Sequence, residues 1–403
     1  MSKTRPRFQA ESIIKTWPMV RLGDVCDEIK DRIQSSKISV GEYVTTDNMV
    51  KDRGGIVPAE YVPSDVGLVE YHKGDVLIAN IRPYLKKIWL ADHDGGCSSD
   101  VVVFRLNTDG LSSEYLYSVL SQDAYFEYVM QKPRGTKMPR GDRDWMKEFR
   151  FPLPSLSVQR EIVARLEREL AAVEKMKKGL EALVETAKAD YVAECRVIFE
   201  RIAQEHPKVS LDDACEFIKD GTHQTPIYTD DIYRGYKFLS SKDVVTGEID
   251  WSKIRYIPKS LHDELYLHVA PQRGDILLAK NGTTGIGALV ETDEVFDIYV
   301  SLALLRFKAG NNPRYLWYAV NSPQAREQYN AGLRGSGVPN LHLTEIRKVH
   351  ICLPSVQIQD KVVSELDAIK ARAEKLEAKA REGVAVCETM RKAILKEAFD
   401  LRR

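Results

Sequence analysis

The sequence predicts an α+β fold: two mixed, β-rich globular domains related by internal repeat and separated by two long antiparallel coiled-coil helices. Three observations lead there. Short segments recur in the same order along both halves of the chain. Each half closes on Leu-Pro-Ser, at Leu153-Pro154-Ser155 and Leu353-Pro354-Ser355. A long stretch follows each closure, with apolar residues spaced alternately by four and three, the seam of a coiled coil.

Residues 1–18 read as a flexible lead-in, with Trp17-Pro18 anchoring its end. The first globular domain is expected over residues 19–154. It opens at Val20-Arg21-Leu22-Gly23-Asp24-Val25-Cys26, and the pattern returns at Val209-Ser210-Leu211-Asp212-Asp213-Ala214-Cys215 with an offset of 189. Gly74-Asp75-Val76-Leu77-Ile78-Ala79 returns at Gly274-Asp275-Ile276-Leu277-Leu278-Ala279 with an offset of 200, so the second copy carries 200 − 189 = 11 extra residues in its first third. Tyr115-Leu116 matches Tyr315-Leu316, and Arg134-Gly135 with Pro139 matches Arg334-Gly335 with Pro339. The unit is a mixed domain followed by a long helix.

Within each domain strands and loops dominate. Gly74-Asp75 is a turn feeding a buried strand, and Ile88-Trp89-Leu90 and Val101–Phe104 are further strands with Gly95-Gly96 as the turn between them. Residues 112–131 and 313–331 read as helices. The prolines at 152, 154 and 354 forbid an immediate helix, and the coils begin just past them.

The first coil is expected over 155–206, the second domain over 207–354 and the second coil over 355–403. The first seam runs Ile162, Leu166, Val173, Met176, Leu180, Leu183 and Ala187, interrupted by Glu169. The second runs Val362, Leu366, Ile369, Ala373, Leu376, Ala380, Gly383, Cys387, Met390 and Ile394. A helix of about 44 residues is ~66 Å long. The short link at 201–209 spans at most ~31 Å. The second helix must therefore run back along the first, which gives an antiparallel pair, a domain at each end and an approximate two-fold. Two separate amphipathic helices are the alternative.

Composition limits the partners. Fifty-nine basic and 59 acidic residues leave no net charge, so any basic surface is local. No apolar run reaches the ~20 residues of a membrane span, and the polar start MSKTRPRFQAES has no signal-peptide core. Six scattered cysteines, at 26, 97, 195, 215, 352 and 387, form no CxxC pair and read as reduced thiols of a cytoplasmic protein.

Two loop groups suggest nucleic acid. Arg82, Tyr84, Lys86 and Lys87 combine phosphate-binding ammonium groups with an aromatic ring and a guanidinium able to read guanine; a solvated basic turn is the alternative. Lys132, Arg134, Lys137, Arg140, Arg143, Lys147 and Arg150 form a local positive run whose glycines admit phosphate; a surface loop paired with Asp142, Asp144 and Glu148 is the alternative. Their counterparts are Lys280, Asn281, Thr283 and Thr284, then Arg334 and Ser336. Gly282-Thr283-Thr284-Gly285-Ile286-Gly287 fits neither the Walker pattern nor GxGxxG and reads as a strand turn.

These duplicated motifs resemble the specificity subunits of type I restriction–modification enzymes. The resemblance rests on Gly74–Ala79 with Ile81-Arg82-Pro83-Tyr84-Leu85, on Gly274–Ala279 with Asn281–Gly285, on Gly335-Ser336-Gly337-Val338-Pro339-Asn340-Leu341, and on the coil entries reaching Gln159 and Gln359. The first copy departs at Gly135-Thr136-Lys137-Met138-Pro139-Arg140, which lacks the Asn-Leu continuation. The resemblance implies two target-recognition domains on double-stranded DNA, two methylation subunits, and restriction or translocase subunits bound through the assembly. S-adenosylmethionine, ATP and Mg are then expected on those partners and no cofactor or metal on this chain. The differing loops imply an asymmetric bipartite target.

Catalytic readings find little. No Asn-Pro-Pro-aromatic run and no Walker lysine occur, and no histidine pair has metal-ligand spacing. Glu28-Ile29-Lys30 has a nuclease-like spacing that its repeat partner Glu216-Phe217-Ile218-Lys219 does not keep. The chain is expected to be a non-catalytic subunit. The other class in play is a coiled-coil interaction protein with two domains for non-DNA ligands.

Overall fold

A computed structural model describes residues 17–244, 247–333 and 339–399. The expected lead-in falls outside them except for Trp17 and Pro18, and so do Arg334 and Ser336. The chain forms two compact units, Met1–Glu181 with Glu382–Arg403, and Ala182–Arg381. Each takes in one globular part and a portion of both long helices, Leu156–Glu205 and Val356–Phe399.

The globular part of the first unit stacks helices on a sheet and that sheet on a second one. The inner sheet has the order Cys26–Glu28, Val101–Leu106, Val76–Ala79, Ile88–Leu90, all antiparallel. Its strand Val76–Ala79 is apolar at every position because both its faces are covered. Val76 and Ile78 pack toward the helices, while Leu77 and Ala79 pack toward the second sheet. The second sheet runs Arg32–Gln34, Gly67–Tyr71, Gly95–Cys97, Tyr43–Val44.

The second unit repeats the inner sheet strand for strand: Cys215–Asp220, Leu302–Phe307, Ile276–Ala279, Gly287–Leu289. Ile276 and Leu278 again face one way, Leu277 and Ala279 the other. Its outer sheet has three strands, Arg255–Ile257, Tyr236–Leu239 and Phe296–Ile298. In each unit a two-stranded ribbon, Met19–Arg21 with Arg150–Pro152 or Lys208–Ser210 with His350–Cys352, joins the start of the globular part to its end.

The duplicated motifs are buried joints. Asp75 takes a two-pronged bond from Arg105, at 2.9 and 2.7 Å, and caps the turn through the His72 backbone. Asp275 does the same with Arg306, at 2.9 and 2.7 Å, and Gln272. Gln159 accepts from the Ser112 backbone and donates to the Gly110 and Pro154 carbonyls, each at 2.8–2.9 Å. Gln359 repeats this with Asn312, Asn311 and Pro354. The Tyr115 and Tyr315 hydroxyls donate to the Pro152 and Cys352 carbonyls, both at 2.8 Å. Leu-Pro-Ser-x3-Gln thus welds each long helix to the globular part that precedes it.

Three expectations need correction. Gly95 and Gly96 are strand residues, not a turn. A Cβ on Gly95 would stand 2.3 Å from the Glu42 carbonyl oxygen, so glycine is there to let two strands and Tyr71 close in. The helices expected at 112–131 and 313–331 are each two, Ser113–Leu120 with Asp123–Val129 and Pro313–Asn321 with Pro323–Ala331. Pro323 cannot continue the helix before it.

The third correction concerns the seam. Ile162, Leu166, Val173, Val362 and Leu366 are buried, and Ile369 and Leu180 are half-buried. Leu183, Leu376 and Met390 are exposed, as is Met176. The buried stripe instead runs 162, 166, 170, 173, 177, 180, 184, 187, 191, 195, 198 and 202 on the first helix. That is about 3.6 residues per turn, and a straight helix drifts about 20° per heptad from a 3.5 repeat. The interruption at Glu169 disappears, because Leu170 takes its place. Within each unit the two helices run antiparallel, shown by Lys177–Glu388 with Leu180 against Gly383 in the first and by Arg201–Glu365 with Arg372–Glu194 in the second.

Candidate nucleic-acid interface

Both loop groups predicted from the sequence come together in the first unit. The segment after Val76–Ala79 bridges the 134–140 segment: Arg82 N–H donates to the Pro139 carbonyl at 2.7 Å, and Gly141 N–H to the Asn80 carbonyl at 3.0 Å. Arg134 and Arg140 exchange backbone bonds at 2.8 and 2.9 Å, which closes a small loop carrying Gly135 (φ 81°), Lys137 and Met138 at its tip.

The basic residues then sort into two sets. Arg82, Tyr84 and Lys137 are exposed, and their side chains have no hydrogen bond, ion pair or ring contact among the described residues. Arg134 and Arg140 are exposed but lean on Asp142 and Asp100, at 2.8 and 3.2 Å. Lys86, Lys87 and Arg143 point inward instead. Lys86 pairs with Asp123 at 2.6 Å, Lys87 donates to the Thr46 carbonyl at 2.6 Å, and Arg143 bonds the buried Glu28 at 2.8 Å and the Ser99 carbonyl. Glu28 is therefore an ion-pair partner of Arg143, not half of a nuclease motif with Lys30. Lys132 lies over Trp145, 3.7 Å from the ring centre, and Lys147 pairs with Asp144 at 2.8 Å.

The second unit stitches its loops by the same register. Gly282 N–H donates to the Pro339 carbonyl at 3.2 Å and Leu341 N–H to the Lys280 carbonyl at 2.8 Å. Its chemistry differs. Lys280 is buried and its ammonium bonds Asp220 at 2.7 Å, so it is a joint and not a free cation. Thr283 is exposed, while Asn281 and Thr284 are half-buried. Among the described residues, one unit thus presents arginine, lysine and tyrosine, and the other presents small polar side chains and glycine backbone.

Sequence reasoning missed Arg53 and Asp123. Arg53 is largely buried and bonds the Asp123 carboxylate together with Lys86. Partial burial alone would raise the Asp123 pKa, but its bonds from Lys86 and Arg53 outweigh that and hold it below 3.8. Neither residue lies in a repeated motif, so no sequence signal pointed to them.

Among the described residues no three His, Cys, Asp or Glu side chains are placed to hold a metal. The six cysteines are free and buried, and burial pushes the Cys26, Cys97 and Cys215 thiols up to about 12. No described helix is long and apolar enough to cross a membrane.

A doubled sheet-and-helix unit, carrying paired loops with unlike chemistry on like backbones, defines a two-module recognition protein. The sequence pattern of the type I restriction modification DNA specificity domain matches residues 14–186 and again 208–384. The chain belongs to that family of type I restriction–modification specificity subunits. It is 23% identical over 381 residues to the type I restriction enzyme MjaVIII specificity subunit of Methanocaldococcus jannaschii, covering 88% of this chain and 86% of that one. The EcoBI specificity subunit of Escherichia coli is 21% identical over 407 residues, covering 95% and 79%. The fold matches a chain from a study of complex assembly and conformational transition of the type I R-M system, with TM-score 0.72, 22% identity and coverage of 96% and 98%. It also matches the HsdS subunit of Thermoanaerobacter tengcongensis, with TM-score 0.54, 22% identity and coverage of 97% and 98%.

Proposed function

We propose that this chain acts in the cytoplasm as the reader of an asymmetric, bipartite DNA site, one element per globular unit, with unread bases between them. The observation that carries the reading is the contrast between equivalent loops. Arg82 and Tyr84 stand free in one unit, where Gly282 and Thr283 stand in the other. Like backbones with unlike side chains read unlike bases, so the site is not a palindrome.

The chain does no chemistry of its own in this reading. Two methylation subunits bind the long helices and supply S-adenosylmethionine, and restriction or translocase subunits join through the assembly with ATP and Mg. The match to a DNA specificity domain leaves the alternative, domains for non-DNA ligands, without support. Methylation mapping in a host carrying this gene and its methylation partner tests the proposal. Two short, different elements at fixed spacing are expected, and a single uninterrupted palindrome overturns it. Binding measured at several salt concentrations should also fall steeply, since phosphate neutralisation releases counterions.

A further inference from the structure

The Arg82 loop is strained. Arg82 and Lys86 both take left-handed backbone, φ 50° and 54°, a conformation costly for residues with a Cβ. The turn beside it is strained as well, with Asp52 at φ 55° and Arg53 at φ 66°. The two segments are zipped together, Asp52 N–H to the Leu85 carbonyl and Arg53 N–H to the Lys86 carbonyl, both at 2.9 Å. The Asp123 carboxylate, at the start of the helix Asp123–Val129, receives both Lys86 and Arg53, and Arg53 also donates to the Ser121 carbonyl. Four of the five left-handed non-glycine residues described thus lie in these two zipped segments, and two of them, Arg53 and Lys86, meet on one carboxylate. Strain of this kind persists only where surrounding structure over-determines it.

The second unit does without the strain but keeps the tether. Gly282 and Gly285 occupy the equivalent left-handed positions, φ 75° and 71°. The equivalent helix, Pro323–Ala331, still holds the loop, now through Arg326, whose guanidinium donates to the Thr284 carbonyl at 3.1 Å. Tyr329 of that helix packs so closely that a Cβ on Gly285 would lie 2.9 Å from it. The same connection is made twice with opposite chemistry, a carboxylate receiving a lysine in one unit and an arginine reaching a carbonyl in the other.

We propose that Asp123 and Arg326 are positioning residues for specificity, each holding one reading loop at the angle from which its side chains or backbone meet base edges. The proposal rests on the reading of these loops as the DNA-reading surface. A bidentate contact discriminates bases only while its donor is held in place, and a loop released from its tether still supplies charge but samples several approaches. Asp123 and Arg326 then govern which bases are accepted, while the bulk of affinity stays with phosphate contacts.

The test is methylation mapping with full-length chain and its methylation partner, comparing wild type, Asp123→Asn, Asp123→Glu, Lys86→Gly and Arg326→Ala, with thermal unfolding of each. Asp123→Asn is expected to raise methylation at sites altered in one element by about tenfold relative to the cognate site. Arg326→Ala should do the same for the other element only. Asp123→Glu, which keeps the charge, should restore discrimination. Lys86→Gly removes the loop's own ion pair to Asp123, leaving that of Arg53, while easing the backbone, so it should relax the same element as Asp123→Asn without loss of thermal stability. An unchanged motif in Asp123→Asn, or an equal loss at both elements that tracks unfolding, overturns the proposal. A wild-type chain that yields no bipartite motif overturns the functional reading instead.

Discussion

Gln159 donates its side-chain amide to the Pro154 carbonyl at 2.8 Å, five residues back across the start of the first long helix. The same amide group bonds Gly110 and accepts from Ser112, so one buried side chain closes a gap between helix and globular part. Gln159→Ala leaves several buried polar groups unpaired, each worth ~1–3 kcal/mol. A loss of about 2–4 kcal/mol is expected for the first unit, and Gln359→Ala should cost the second unit as much. Denaturant unfolding of the full chain, followed by a probe in each unit, checks this.

Arg82→Ala should relax or weaken only one element of the target, at a cost of ~1–3 kcal/mol if it meets a guanine edge. Lys87→Ala should behave otherwise. Its ammonium is spent on the Thr46 carbonyl, so the variant should lower thermal stability and leave the salt slope of DNA binding unchanged. Loss of Lys137 should instead reduce that slope by about one ion.

Leu183 and Val184 give a sharp test of helix register. Leu183 is 36% exposed and Val184 only 6%. Val184→Asp buries a charge and should destabilise the chain by about 3 kcal/mol or more, while Leu183→Asp should stay within ~0.5 kcal/mol. A strict 3.5-residue seam demands the reverse order, which circular dichroism melts of the two variants would expose. Leu180→Pro, by removing a helix bond, should prevent normal assembly in native mass spectrometry while both globular parts stay folded.

Asp297 makes one part of stability depend on pH. Burial raises its pKa from 3.8 to about 6, partly offset by the bond from His262 at 2.7 Å. Tyr236 stacks on His262 with ring centres 3.7 Å apart, and Tyr266 lies tilted to the same ring at 5.0 Å. A carboxyl whose folded pKa is raised binds its proton more firmly when folded. Its contribution is therefore fully present below about 3.8 and is lost as pH rises through about 6. Asp297→Asn should flatten the pH dependence of unfolding between those values. A variant whose profile parallels wild type counts against this assignment.

The repeat, the central strands and the long helices were legible because each leaves a pattern in the chain. Val76–Ala79 and Ile276–Ala279 are apolar throughout, and Leu-Pro-Ser with its glutamine recurs at an offset of 200. The candidate interface was legible only in part. Basic residues announce a charge but not a direction, and Lys86, Lys87, Arg143 and Lys280 turn inward to partners that sequence does not place beside them. Asp123 lies 37 positions from Lys86 and belongs to no motif. The helix seam misled because heptad and straight-helix patterns differ by one residue over a few turns, too little for spacing alone to separate Met176 from Lys177.

The left-handed positions also bear on how the two loops can diverge under mutation. At position 82 a side chain already sits in the unfavourable conformation, and the surrounding bonds already hold it there. Exchanging Arg82 for another unbranched residue therefore adds little backbone strain, and under the proposed reading what changes is the base preference. At position 282 any departure from glycine brings a new penalty of ~1 kcal/mol or more. The first loop is accordingly free to drift toward new targets one substitution at a time, whereas the second has to vary at Thr283 and Thr284 or alter its scaffold first. Two modules of one ancestry have unequal evolvability written into two backbone angles.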